Sequence, residues 1–232
     1  MSLQRKPITI LGGMGPQASA RLYELLIQHS DQHPQSKSDI FPHIVLRSLE
    51  VPDFIANKRK LALARQIFAE EVKSANADKS VVIAIACNTA HLLADEVIKT
   101  STAPFISLIE TVADVAVAQD YKVVGLLATP MTIKTKLYED IFSARGIDCL
   151  TPNDTQCLSL ERMIRSVLRG LSTKKDSDEL LLIAKDLRAR GAESVILGCT
   201  ELPLVLPKKG HTIKFLDSLD VLAQELINIY YH

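Results

Sequence analysis

Two of the four cysteines in this 232-residue chain, Cys87 and Cys199, end apolar runs in the same manner. The stretch AIACNTAHLLADEV carries Cys87 from a strand-like run into Asn88 and Thr89, and VILGCTELPLVL carries Cys199 into Thr200 and a new segment. A thiolate accepts a proton and a thiol returns one, so a matched pair of cysteines suits proton transfer. The other two, Cys149 and Cys157, have no such counterpart and read as small packed apolar groups. For Cys87 and Cys199, packing and catalysis both stay open at this level. No CxxC pair and no histidine at zinc-finger spacing accompanies them, so neither a metal site nor a disulfide framework is expected.

The elements that must hold these residues follow from the hydropathy pattern. Eight short β-branched runs begin near Ile8, His43, Val81, Pro104, Lys122, Ile147, Ser194 and Ile213. Helix-period segments lie between them, such as 60–75 with Leu61, Ala64, Phe68 and Val72 on one stripe, and 178–190 ending at Gly191. This alternation predicts an α/β fold with parallel sheets. Ligands of such sheets sit beyond the carboxyl ends of the strands, where both cysteines fall. There a following helix would supply free N–H groups and the positive end of its dipole, favouring thiolate. Asn88, Thr89 and Thr200 could cap those helices or bind a substrate carboxylate or ammonium group.

The pattern also repeats. ITILGGMGP matches VVGLLATPMT, with Leu11 and Leu127 116 residues apart, while Cys87 and Cys199 are 112 apart. Two similar parallel-sheet domains related by pseudo-two-fold symmetry are expected, with the active site in the interdomain cleft. The first would span 1–114, with 212–232 packing back onto it, and the second 115–211. Two thiols converging on that cleft from opposite sides would suit inversion at a carbon, one removing the Cα proton and the other delivering a proton to the opposite face.

Composition excludes other classes. Lys and Arg number 27, as do Asp and Glu, so the positive excess that nucleic-acid binding needs is missing. No apolar run approaches the roughly 20 residues of a membrane span, and no charged-then-apolar leader opens the chain, so a cytoplasmic location is expected.

Four stretches, ILGGMGPQAS at 10–19, CNTAH at 87–91, GLLATPMTI at 125–133 and GCTEL at 198–202, resemble the aspartate/glutamate racemase family over nearly the whole chain. The CNTAH form resembles its aspartate racemase branch. The resemblance implies a pyridoxal-independent isomerase, often a homodimer, with no cofactor and with Cys87 and Cys199 as base and acid. It also implies that Met14, Asn88, Thr89, Thr129, Thr132 and Thr200 line the substrate pocket, with His91 and Glu201 supporting. One departure matters: where that branch carries an arginine for the side-chain carboxylate, this chain has Phe54, after Val51-Pro52-Asp53. Arg47, Lys58 or Arg59 could substitute, and Arg169 in RSVLRG aligns with a second basic position of the family. Aspartate racemisation is therefore the leading expectation. Glutamate or broad-specificity racemisation, a hydantoin racemase or maleate isomerase-like reaction, and amino-acid binding without turnover are the alternatives.

Overall fold

The computed structural model describes residues 5–36, 40–52, 58–207 and 212–232, with the side chain of Lys58 outside that description. Among the described residues eight strands form: β1 (Ile8–Gly12), β2 (Ile44–Ser48), β3 (Val82–Ile85), β4 (Phe105–Ile106), β5 (Val123–Ala128), β6 (Asp148–Leu150), β7 (Ser194–Gly198) and β8 (Phe215–Asp217). Helices α1 (Pro16–Gln32), α2 (Lys58–Ala77), α3 (Ala94–Thr100) and α4 (Leu108–Ala118) follow β1 to β4, a 3-10 turn at Thr89–Leu93 preceding α3. In the later part, α5 (Pro130–Lys134), α6 (Glu139–Ser143), α7 (Asp154–Leu168), α8 (Lys174–Ala189), α9 (Leu202–Val205) and α10 (Ser218–Tyr231) complete the described elements.

The strands form two four-stranded sheets, ordered β2-β1-β3-β4 and β6-β5-β7-β8, with every strand pair parallel. The eight runs read from the sequence are the eight strands, and the repeat is borne out as one strand order used twice. The chain divides into two compact units, residues 1–108 with 219–232, and 109–218.

In the first unit, Ala64, Phe68 and Val72 of α2 are buried against Leu11, Ile83 and Ile85 of the sheet, with Leu61 partly buried beside them. That is the stripe expected from the sequence, and a fully buried Phe68 contributes about 2 kcal/mol. In the second unit, Leu160 and Met163 of α7 and Leu180 and Leu187 of α8 cover Leu127 and Leu197. The helix expected from 178 begins a turn earlier, because Thr173 and Asp176 form a capping box. Among the described residues no helix is long and apolar enough to cross a membrane.

Candidate functional site

Each sheet has one place where its strand order changes direction, between β1 and β3 in the first unit and between β5 and β7 in the second. Loops leaving neighbouring strands on opposite sides at such a point open a crevice at the carboxyl edge. The motif residues stand at those two edges. Leu11 is in register with Ile85, and the Ala86 N–H donates to the Leu11 carbonyl at 2.9 Å, so the Gly12–Met14 turn and the Cys87–Asn88 turn leave the first sheet side by side. Ala128 is in register with Gly198, which puts Thr129 and Cys199 on the same edge of the second.

In the first unit, Met14 and Cys87 are both partly buried against the core beneath the sheet edge. Asn88 and Thr89 are 2% and 5% exposed, too enclosed for ordinary surface polar residues. Asn88 precedes the 3-10 turn in helical geometry, and its side chain makes no capping bond. Gly13, at φ +96°, lets the first turn pass against the backbone of Leu49, where a Cβ would meet the Leu49 carbonyl oxygen at 2.4 Å.

His91 braces this turn. Its Nε2 accepts the Leu108 N–H at 3.1 Å, which places the ring proton on Nδ1, 2.9 Å from the Cys87 carbonyl oxygen it donates to. The ring is buried, and burial pushes its pKa from 6.5 down to about 4 against the opposing pull of the backbone carbonyls of Cys87 and Asn88. With both nitrogens committed to backbone, the neutral imidazole fixes the Cys87 turn to the start of α4.

The second unit builds its edge differently. Thr129 caps α5, accepting from the Thr132 N–H at 3.2 Å and donating to the Thr132 hydroxyl at 3.0 Å, so the two threonines expected in the pocket are in contact. Cys199 is 5% exposed and donates to Glu201 Oε2 at 3.1 Å, and the Thr200 hydroxyl donates to the same oxygen at 2.8 Å. Gly198 is held close beneath them, since a Cβ there would meet Leu126 Cδ1 at 2.6 Å and Tyr138 Cε2 at 3.3 Å. Tyr138 is buried, with the Ser218 hydroxyl among its hydrogen-bond partners. Nothing in the KLYEDIF stretch marked that tyrosine as part of the surroundings of Cys199.

One electrostatic expectation needs correction. The element after Cys87 is a 3-10 turn, and α9 after Cys199 has four residues, so neither cysteine stands before a long α-helix whose aligned peptides would sum to a strong dipole. Thr200 likewise bonds to Glu201 rather than serving as a cap.

The basic candidates are dispersed. Arg47, on β2, donates to Glu71 at 3.3 Å, to Ser74 at 3.0 Å and to Asp78, all on or beside α2, so its guanidinium is committed to holding that helix. Arg59 is exposed on α2. Arg169 ends α7 and is exposed in an open groove lined by Arg162, Arg165 and Leu171. Phe54 and the side chain of Lys58 lie outside the described residues. Among the described residues no group of three or more His, Cys, Asp or Glu side chains could hold a metal ion.

Two parallel sheets of one repeated order, each with a cysteine just after an inner strand, define a duplicated α/β protein of the racemase architecture. The family model described as Asp/Glu/Hydantoin racemase matches residues 11–226, and the chain belongs to that family of isomerases. The solved structure of an aspartate racemase homologue from Pyrococcus horikoshii OT3 is similar, with a TM-score of 0.84 and 28% identity over 98% of this chain and 100% of that one. An aspartate racemase from Picrophilus torridus gives a TM-score of 0.81 at 25% identity, over 97% of this chain and 94% of that one. A broad specificity amino-acid racemase of Bacillus subtilis (strain 168) is 25% identical over 96% of this chain and 97% of its own length.

Proposed function

We propose that this chain racemises a free amino acid, aspartate first among the candidates, with Cys87 and Cys199 as the two proton-transfer groups. The observation that carries the reading is the recurrence of one thiol at the same topological place in both sheets, after β3 and after β7. One thiolate takes the Cα proton while the other thiol gives its proton to the opposite face of the same carbon. The carbanion-like charge that develops between these events needs nearby donors, and Asn88, Thr89, Thr129, Thr132 and Thr200 are the polar groups on the two edges suited to that role. Met14 would pack against the substrate from the β1 turn, and Arg169 would meet an acidic side chain.

A second reading, broad specificity, draws on the basic residues. Phe54 stands where a carboxylate-binding arginine is expected, and Arg47 is engaged by α2. A pocket without a dedicated guanidinium discriminates weakly among side chains, as the similar Bacillus subtilis protein's name describes for that enzyme. The balanced charge and the family resemblance favour a cytoplasmic homodimer acting on a small molecule rather than on nucleic acid or a membrane.

Incubation with L-aspartate and a panel of other L-amino acids in D2O tests both readings. Deuterium should enter Cα as optical rotation decays, and Cys87→Ser and Cys199→Ser should each lose racemisation of both enantiomers by several orders of magnitude. Undiminished racemisation by either variant would remove the two-thiol mechanism, and turnover confined to aspartate would remove the broad reading.

A further inference from the structure

The two cysteine motifs are alike in sequence position but not in their hydrogen-bonded surroundings. Cys87 is followed by a turn whose one imidazole is neutral and bonded at both nitrogens to backbone. Cys199 is followed two residues later by Glu201, 4% exposed, whose Oε2 accepts from both the Cys199 thiol and the Thr200 hydroxyl.

We propose that Glu201 is a positioning residue that keeps the Cys199 thiol protonated at rest, so that Cys199 enters the reaction as proton donor and Cys87 as proton acceptor. Rotation of a free S–H group is lost when it is bonded to a fixed carboxylate, which aims the proton. Ionising that thiol would break its bond to Oε2 and set a thiolate 3.1 Å from an acceptor oxygen in a buried site, which disfavours the charged form. The Thr200 hydroxyl holds the carboxyl oxygen in place. Tyr138 lies on the same side, with Cys149, Cys199 and Asp217 all acting on it. Tyr138 and Cys149 are both pushed above their ordinary ranges by burial, and Asp217 contributes negative charge near Tyr138.

The inference rests on the two-cysteine reading above and adds a direction to it. When the enantiomer handled by the resting form binds, its Cα–H bond breaks, the electron pair stays on carbon, and the proton passes to the Cys87 thiolate. The S–H bond of Cys199 then breaks, its proton joins the opposite face of Cα, and its electron pair stays on sulfur. The product leaves an enzyme with a thiol at Cys87 and a thiolate at Cys199, the form that Glu201 disfavours. Because enantiomers have equal energy, kcat/KM must match in the two directions. Exchange with water returns the proton to Cys199 and removes it from Cys87; where that exchange outpaces turnover, the asymmetry falls on kcat and KM separately, with the enantiomer bound by the resting form showing the lower value of each.

Alkylation by iodoacetamide as a function of pH, read cysteine by cysteine by peptide mass spectrometry, tests the proposal without requiring turnover. In the wild-type protein the thiolate midpoint of Cys199 should lie above that of Cys87. In Glu201→Gln, whose side chain keeps the shape and can donate to sulfur, the Cys199 midpoint should fall by about one pH unit or more, about a tenfold change in thiolate fraction. Glu201→Asp should restore it in part. The difference in kcat between the enantiomers should narrow in Glu201→Gln. A Cys199 midpoint unchanged in folded Glu201→Gln overturns the proposal, and so does a wild-type Cys199 midpoint at or below that of Cys87, which needs no variant. Should Cys87→Ser still racemise amino acids, the two-thiol reading fails separately, whatever the alkylation shows.

Discussion

His91 illustrates how a residue with an acid–base side chain can serve structure instead. Nε2 faces the Leu108 N–H and Nδ1 donates to the Cys87 carbonyl, so a second proton would set an N–H against another N–H inside the core. The folded protein therefore resists protonation until about pH 4, while the unfolded chain takes the proton near 6.5. A base with its folded pKa depressed contributes stability that is present above the unfolded value and is lost as pH falls toward the folded one. Relative to His91→Gln, the wild-type protein should lose about 3 kcal/mol between pH 7 and pH 4, measured by urea denaturation of both proteins across that range. A stability gap independent of pH would refute the neutral brace. The family resemblance placed His91 in a supporting role through the CNTAH motif. It could not show the bond to Leu108, which depends on where β4 delivers the chain.

At the scale of elements, the two edges are set by strands that allow close approach. Gly198 ends β7 against Leu126, Ala128 and Tyr138, all fully buried, so Gly198→Ala must push a packed side chain aside just below Cys199. Such overpacking costs about 1–3 kcal/mol. Gly146→Ala is the control, because Gly146 has open space where a Cβ would stand and pays only for its φ of +71°. Calorimetry should show the larger fall in Tm for Gly198→Ala, and equal falls would show that the fit under Cys199 is looser than described. Periodicity was enough to read the strands and the α2 stripe, because a buried parallel sheet demands uninterrupted apolar runs and its helices demand one apolar face. The short elements after the cysteines escaped it. A 3-10 turn and a four-residue helix carry too few residues to show a period, so the dipole expected at Cys87 and Cys199 was an overreading of the pattern.

Over the molecule as a whole, α10 returns the end of the chain to the first unit. There Asp220 pairs with His29 at 2.9 Å, the Tyr231 hydroxyl meets Ser30 at 2.7 Å, and the Tyr230 hydroxyl accepts the His43 N–H at 3.0 Å. Arg5 closes the same corner, donating to the Tyr230 carbonyl at 2.9 Å and lying over both tyrosine rings. Leu222, Ala223 and Leu226 on this helix are fully buried. A chain ending at Ser218 should expose apolar surface and bind a hydrophobic dye or aggregate. A soluble, cooperatively unfolding truncated protein would show that α10 is dispensable to the first unit.

The sequence by itself determined the strands, their repetition and the two cysteines, since each is written in local residue order and in the recurrence of short motifs. Tertiary structure decided which side chains those cysteines meet. Tyr138 and His91 act through contacts between separate elements, and the commitment of Arg47 to α2 depends on strand and helix packing side by side. Hydrogen-bond partners far apart in the chain are chosen by the fold, and linear spacing carries no record of that choice.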